Sequence, residues 1–175
     1  HVKLMMGGSY TGGKDWTKTA DDIDKCFKIY HFKQGESIIH CCDNTYILDP
    51  EKVYFINGHA ITKQECRQKM SLDWLHFIPE SIYLDHILRT FACVYSFDAS
   101  QLSSFLHIFE KIKYYFDEKL SESERGILRL EVQSLIQYLI AQILKQFGNE
   151  IVEKDDQFKR LQPAMEYINN HYRSG

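Results

Sequence analysis

FKIYHFKQGESIIHCCDNTYILDPEKVYFINGHAI, residues 27–61, decides the fold, because short apolar runs alternate with turn-forming pairs along it. The run at 26–33 is rich in aromatic and β-branched side chains and halts at Gln34-Gly35. A second run, 37–42, stops at Asp43-Asn44, a third, 45–48, at Asp49-Pro50, and a fourth, 52–56, at Asn57-Gly58. Farther along, 71–77 reads as a fifth strand closed by Pro79. Turn signals this closely spaced, with no long helical period between them, predict antiparallel hairpins in a sandwich or barrel.

Toward the C-terminus the period changes. Leu102, Phe105, Leu106, Phe109, Ile112 and Phe116 recur three and four apart, the spacing of an amphipathic helix. Ser121-Glu122-Ser123-Glu124 then reads as a capping box, opening a second helix that should run to Phe147 and end at Gly148. At ~1.5 Å per residue that helix is about 40 Å long, more than a small barrel can cover. It carries two apolar stripes: Leu128, Val132, Leu135 and Leu139 on one, Ile136, Ile140, Ile143 and Phe147 on the other. The first is expected to pair with a second copy of the chain, giving a homodimer. After an acidic linker, Pro163 suits the first turn of a further helix with Ala164, Ile168 and Tyr172 on one thin stripe. The chain thus reads as an α+β protein, an antiparallel barrel followed by a helical hairpin. The expected divisions are 1–97, 98–148, a linker at 149–161, and 162–175 as the threshold of another domain.

Composition bounds the possibilities. Of 175 residues, 44% are hydrophobic and 26% charged, a globular balance rather than a disordered one. A net charge of -3 lacks the basic excess of a free-standing nucleic-acid binder. No apolar run in the sequence approaches the ~20 residues of a membrane helix, and residues 1–6 do not read as a signal peptide. The five cysteines (Cys26, Cys41, Cys42, Cys66, Cys93) form no CxxC pair and are read as reduced thiols of a cytoplasmic protein. Gly7-Gly8 and Gly12-Gly13 read as a turn-rich arm, since no strand-to-helix unit follows to cradle a phosphate.

Three stretches together resemble the AraC/XylS family of bacterial transcriptional regulators. The run at 27–61 is similar to that family's cupin-type sensor barrel; Asp73-Trp74-Leu75-His76-Phe77-Ile78-Pro79 resembles its closing Trp-x-x-Phe-x-Pro strand; Leu161 to Tyr172 resembles the first helix of its DNA-binding domain. One corner departs from the family pattern, with Pro50-Glu51-Lys52 where Pro-Gly is usual. The resemblance implies a cupin-like jelly roll that binds a small-molecule effector, a sugar or aromatic acid, with no cofactor. It also implies DNA contact through helix-turn-helix units beyond Gly175.

The rival reading is a metal-dependent cupin enzyme, a dioxygenase or isomerase. It needs about three histidines and a carboxylate converging on one ion. His40 and Cys42 share a strand face and His59 lies on a return strand, so His40, Cys42 and His59 are the candidate ligands. The second histidine of the usual pair is a cysteine here, and no Glu follows, which favours the sensor. No GxSxG, Walker or HExxH motif is present. The expected pocket is the barrel interior. Trp74 and His76 share one face, and Phe27, Ile29, His31 and Lys33 share another, taken here as the inward one, with His40 and His59 on the wall. The resemblance then implies that Lys33 stands near the basic residue that holds a ligand hydroxyl or carboxylate in some members of that family.

Overall fold

The computed structural model describes residues 1–41, 43–90, 93–115 and 120–146, with 159, 160, 163, 164 and 167. The strands are β1 (Val2–Gly12), β2 (Lys18–Thr19), β3 (Phe27–Gln34), β4 (Ser37–Cys41), β5 (Asn44–Leu48), β6 (Lys52–Asn57), β7 (Ile61–Glu65), β8 (Met70–Pro79) and β9 (Val94–Asp98). The helices are α1 (Ile82–Thr90), α2 (Ser103–Tyr115) and α3 (Glu122–Gln146). By contacts the chain divides into two units, His1–Gln137 and Tyr138–Gly175. The first holds everything through the larger part of α3, and the second begins with that helix's last turns.

Strand order identifies the architecture. One sheet runs β1-β8-β3-β6-β9 and the other β2-β7-β4-β5, every pairing antiparallel. Two four-stranded sheets ordered 1-8-3-6 and 2-7-4-5 are an eight-stranded jelly roll, the double Greek key in which the chain alternates between sheets. Here β9 extends one edge. The expected α+β fold, an antiparallel jelly roll followed by helices, is therefore present.

The five strands read from sequence are β3, β4, β5, β6 and β8. The glycine-rich arm is instead β1, a full strand paired along β8 from Val2↔Pro79 to Gly12↔Met70. Its glycines are there for space: a Cβ on Gly7 would come within 2.6 Å of Ile112 Cγ2 and 3.0 Å of the Trp74 carbonyl. Helix α2 packs against β1 at that point. Glu51 holds φ +65, the left-handed region that favours glycine, so this corner carries backbone strain.

Both faces of the five-stranded sheet are covered. On one, Phe27, Phe55 and Phe77 stack at 5.7–6.1 Å between ring centres, and His31 stacks on Phe109 of α2 at 5.8 Å. On the other, Tyr30, Phe32, Tyr54, Ile56 and Leu72 meet Ile39, Cys41, Leu48 and Ile61 from the opposite sheet. Cys41 is disulfide-bonded to Cys93, the residue before β9. That bond corrects the expectation of reduced thiols: the partners lie 52 positions apart and meet only because the two sheets face each other. Cys26 and Cys66 are free and buried, and Cys42 lies outside the described residues.

Helix α3 starts as expected. The Ser121 amide donates to Glu124 Oε2 at 3.0 Å and the Glu124 amide donates to Ser121 Oγ at 3.3 Å, a reciprocal capping box. Its proposed dimer stripe needs correction. Val132 and Leu139 are both 0% exposed within the chain itself, and Leu128 and Leu135 are half-buried. The open side instead presents Ile127 (60%) and Leu130 (67%), one and two positions away around the helix. Apolar residues all round also make Glu122–Lys145 long and apolar enough to cross a membrane by length and composition alone, with 28% of its apolar 18-residue window buried. Phe116, Phe147, Gly148 and most of the helix expected after Pro163 lie outside the described residues.

Candidate functional site

A cavity of about 350 Å³ opens inside the jelly roll, between the β1-β8-β3 half of the larger sheet and the β2-β7 edge of the smaller. Its back wall is set by register. Across β1, β8 and β3 the first rung is Met6, His76 and Lys28, the second Gly8, Trp74 and Tyr30, the third Tyr10, Leu72 and Phe32. Side chains directly opposite in antiparallel strands share a face, so the cavity receives Lys28, Tyr30, Trp74 and His76 together.

The connection from β1 to β2 forms the rim. Tyr10 donates its hydroxyl hydrogen to Asp15 Oδ2 at 2.7 Å, the Gly13 amide donates to Asp15 Oδ1 at 2.9 Å, and Gln64 Nε2 donates to the Trp16 carbonyl at 2.9 Å. These bonds hold Trp16 against Tyr30, edge to face at 6.3 Å. Trp16 and Trp74, the two tryptophans of the chain, therefore both line the cavity.

The inner end is polar and buried. Lys28 is 2% exposed and His76 6%. Lys28 Nζ and Tyr30 Oη each lie 3.4 Å from His76 Nε2. A nitrogen faced by two donors is the acceptor, so the imidazole hydrogen belongs on Nδ1. That Nδ1 has no hydrogen-bond partner and sits 3.6 Å from Asp24 Oδ2. Burial, with the Lys28 and Lys18 charges, holds His76 down at about 3, so it is neutral at physiological pH. Burial also lowers Lys28 below the usual lysine range, against the opposing pull of Cys26 and Asp24. Burial pushes the Tyr30 hydroxyl far above its ordinary value.

The candidates named from sequence divide cleanly. Trp74 and His76 line the cavity. Phe27 and Ile29 do not: they lie on the helix-covered face, because the strand parity facing the lumen is that of Lys28, Tyr30 and Phe32. His31 and Lys33 line a separate open hollow with Asp49, Glu51, Lys52 and Asp98, and Lys33 Nζ pairs with Asp73 Oδ2 at 2.5 Å. His40 alternates with the inward Ile39 and Cys41, so it points outward, where its Nε2 meets Glu65 Oε1 at 3.2 Å. His59 sits in the β6–β7 turn, edge-on to Phe27 at 5.6 Å. The metal set is therefore not assembled from His40 and His59, and among the described residues no group of three or more His, Cys, Asp or Glu is placed to hold an ion. Sequence reading missed Lys28, Tyr30 and Trp16. The available signal was a lysine set between Phe27 and Ile29 in an aromatic strand.

Solved structures similar to this chain include AraC-like regulators and cupins. No protein-family model and no curated protein matches the sequence. The AraC-like transcriptional activator CuxR is 12% identical with a TM-score of 0.48, covering 80% of this chain and 50% of its own. Unsaturated fatty acid-bound ToxT from Vibrio cholerae strain SCE256 is 9% identical with a TM-score of 0.47, covering 85% and 56%. A cupin superfamily protein from Desulfitobacterium hafniense DCB-2 is 16% identical with a TM-score of 0.30, covering 45% and 79%. The chain thus spans about half the length of the regulators it is similar to. The jelly-roll assignment itself rests on strand order.

Proposed function

We propose that this chain is the effector-sensing and dimerisation portion of an AraC-type transcriptional regulator. A small molecule would bind between the sheets, and DNA would be contacted by helix-turn-helix units outside the chain. The observation that carries the reading is the interior cavity walled by Trp16, Tyr30 and Trp74 with one buried polar end at Lys28 and His76. Its volume lies within the range of small-ligand sites, and its mix of aromatic walls and few polar groups is theirs as well. Occupancy would stiffen the β1–β2 rim and bias the helices packed on β1, a coupling of about 1–3 kcal/mol between ligand and output. Dimerisation would use the open side of the helical hairpin, Tyr114, Ile127 and Leu130, in place of the stripe read from sequence. The regulator reading assigns the chain no catalysis and places it in the cytoplasm, where the Cys41–Cys93 bond would have to survive a reducing pool.

Both tryptophans report on the cavity, so a fluorescence titration with sugars, small aromatic acids and neutral aromatics tests the proposal directly. A saturable change with a matching rise in Tm is expected for at least one class, about 2.7 kcal/mol at a hundredfold excess over Kd. A panel that leaves both readouts unmoved would overturn it.

A further inference from the structure

Lys28 presents an unusual combination. It is a lysine near the start of a buried strand, lining the cavity, and among the described residues no carboxylate lies within ion-pair distance of its Nζ. Its contacts are the His76 Nε2 acceptor at 3.4 Å and Cys26 Sγ at 3.9 Å. An ammonium buried without a counter-ion is costly, so such a site holds either a neutral amine or a cation awaiting an anion.

The rest of the lining decides between the two. Lys18 and Lys28 are matched by Asp15 and Asp24, so no net positive field draws an anion inward. Asp24 stands beside His76, where it would repel an incoming carboxylate. A neutral imidazole accepting from Nζ also suits an amine better than a second cation would. Burial holds the Lys28 amine below the usual range, and a desolvated lysine of this kind is a nucleophile toward carbonyl carbon. The neighbouring Cys26 is not a competitor: burial pushes its thiol up, and it does not line the cavity.

Resting on the sensor reading above, we infer that Lys28 anchors a small aromatic or apolar aldehyde as a reversible imine. The Nζ lone pair would attack the carbonyl carbon to form a carbinolamine. The C=N bond then forms as the C–O bond breaks, and the carbonyl oxygen leaves as water with the two amine hydrogens, one relayed through His76 Nε2. No oxidant or reductant is required. Tyr30, donating toward the same nitrogen, orients the imidazole, and Trp16 and Trp74 flank the aldehyde's apolar body.

Benzaldehyde with sodium cyanoborohydride, followed by peptide mass spectrometry, tests this in the intact chain. Each unit by which Lys28 falls below ordinary lysine frees about tenfold more amine at neutral pH. Lys28 should therefore be alkylated faster than exposed Lys14 or Lys69. That excess should vanish on unfolding in urea and in Lys28→Arg, which keeps a long basic side chain that forms no imine. Adducts spread over surface lysines, with Lys28 untouched in folded protein, would overturn the inference. Tryptophan fluorescence titrated in parallel with benzaldehyde, benzyl alcohol and benzoate separates the two levels. A saturable change without a Lys28 adduct sinks the imine and keeps the sensor; no change with any of the three and no adduct sinks both.

Discussion

The two faces of the five-stranded sheet use the same strand, β3, in opposite ways. Toward the helices, Phe27 and Ile29 are closed in by a stack of phenylalanines, with His31 laid flat on Phe109. Toward the opposite sheet, Lys28 and Tyr30 border empty space, and only at Phe32 does the packing close again. Both faces are buried, so their difference is not one of exposure. One face is filled by packed rings, and the other carries polar groups at the edge of a cavity. Along β3 the buried lysine, Lys28, stands on the hollow face, and the bulky apolar pair Phe27 and Ile29 on the filled one.

Substitution should separate the faces sharply. Phe27→Ala removes a ring stacked on two others and should cost about 3–5 kcal/mol in urea unfolding, while the surviving folded fraction keeps its fluorescence response to ligand. Trp74→Ala, partly buried at the cavity wall, should cost about 1–2 kcal/mol and abolish ligand-induced stabilisation. If Phe27→Ala removed the ligand response at unchanged stability, the assignment of lumen and exterior would be reversed.

The same contrast explains how far the sequence could be read. The five strands β3 to β6 and β8 were legible because each is bounded by turn residues, and α2 and α3 because of their period and the Ser121–Glu124 box. Strand β1 was not, since Gly7, Gly8 and Gly12 answer to packing rather than to a local turn. Helix α1, at nine residues, and strands β2, β7 and β9 lacked enough pattern to stand out. At the site, Trp74 and His76 were legible from the closing strand. Their partners on β3 were not, because alternation gives two faces without saying which is inside, and a strand buried on both removes the usual polar cue. The disulfide was invisible for a related reason: it depends on which strands face each other.

Glycine substitutions sharpen the comparison at smaller cost. Gly7 faces α2, and an added Cβ would press on Ile112 and on the Trp74 carbonyl, so Gly7→Ala should destabilise by about 1–3 kcal/mol. Gly8 lies on the cavity side, where a Cβ meets nothing nearer than Trp74 Nε1 at 3.9 Å. Gly8→Ala should be neutral or raise stability by about 0.5 kcal/mol through the unfolded chain's lost freedom. Equal effects at the two positions, read by Tm, would mean that α2 does not rest on β1 in solution.

The smallest expected effect is in pH dependence, and it again sets one face against the other. His76, on the cavity side, is held down at about 3 by burial and by the Lys28 and Lys18 charges, whereas an unfolded histidine titrates near ~6.5. Between those values the unfolded chain binds a proton that the folded chain refuses. Stability is therefore full above about pH 6.5 and declines as pH falls toward 3. His31, on the helix side, is lowered by burial too, but Asp73 opposes the shift, so its share has the same sign and a smaller size. Glu65, held at about 2 by hydrogen bonds from Lys63 and His40, enters only below the ordinary carboxylate range. Tm measured between about pH 7.5 and 5 should fall less in His76→Gln than in the parent, with His31→Gln intermediate. Identical slopes for parent and His76→Gln would place that imidazole in water, and with it the polar end of the cavity.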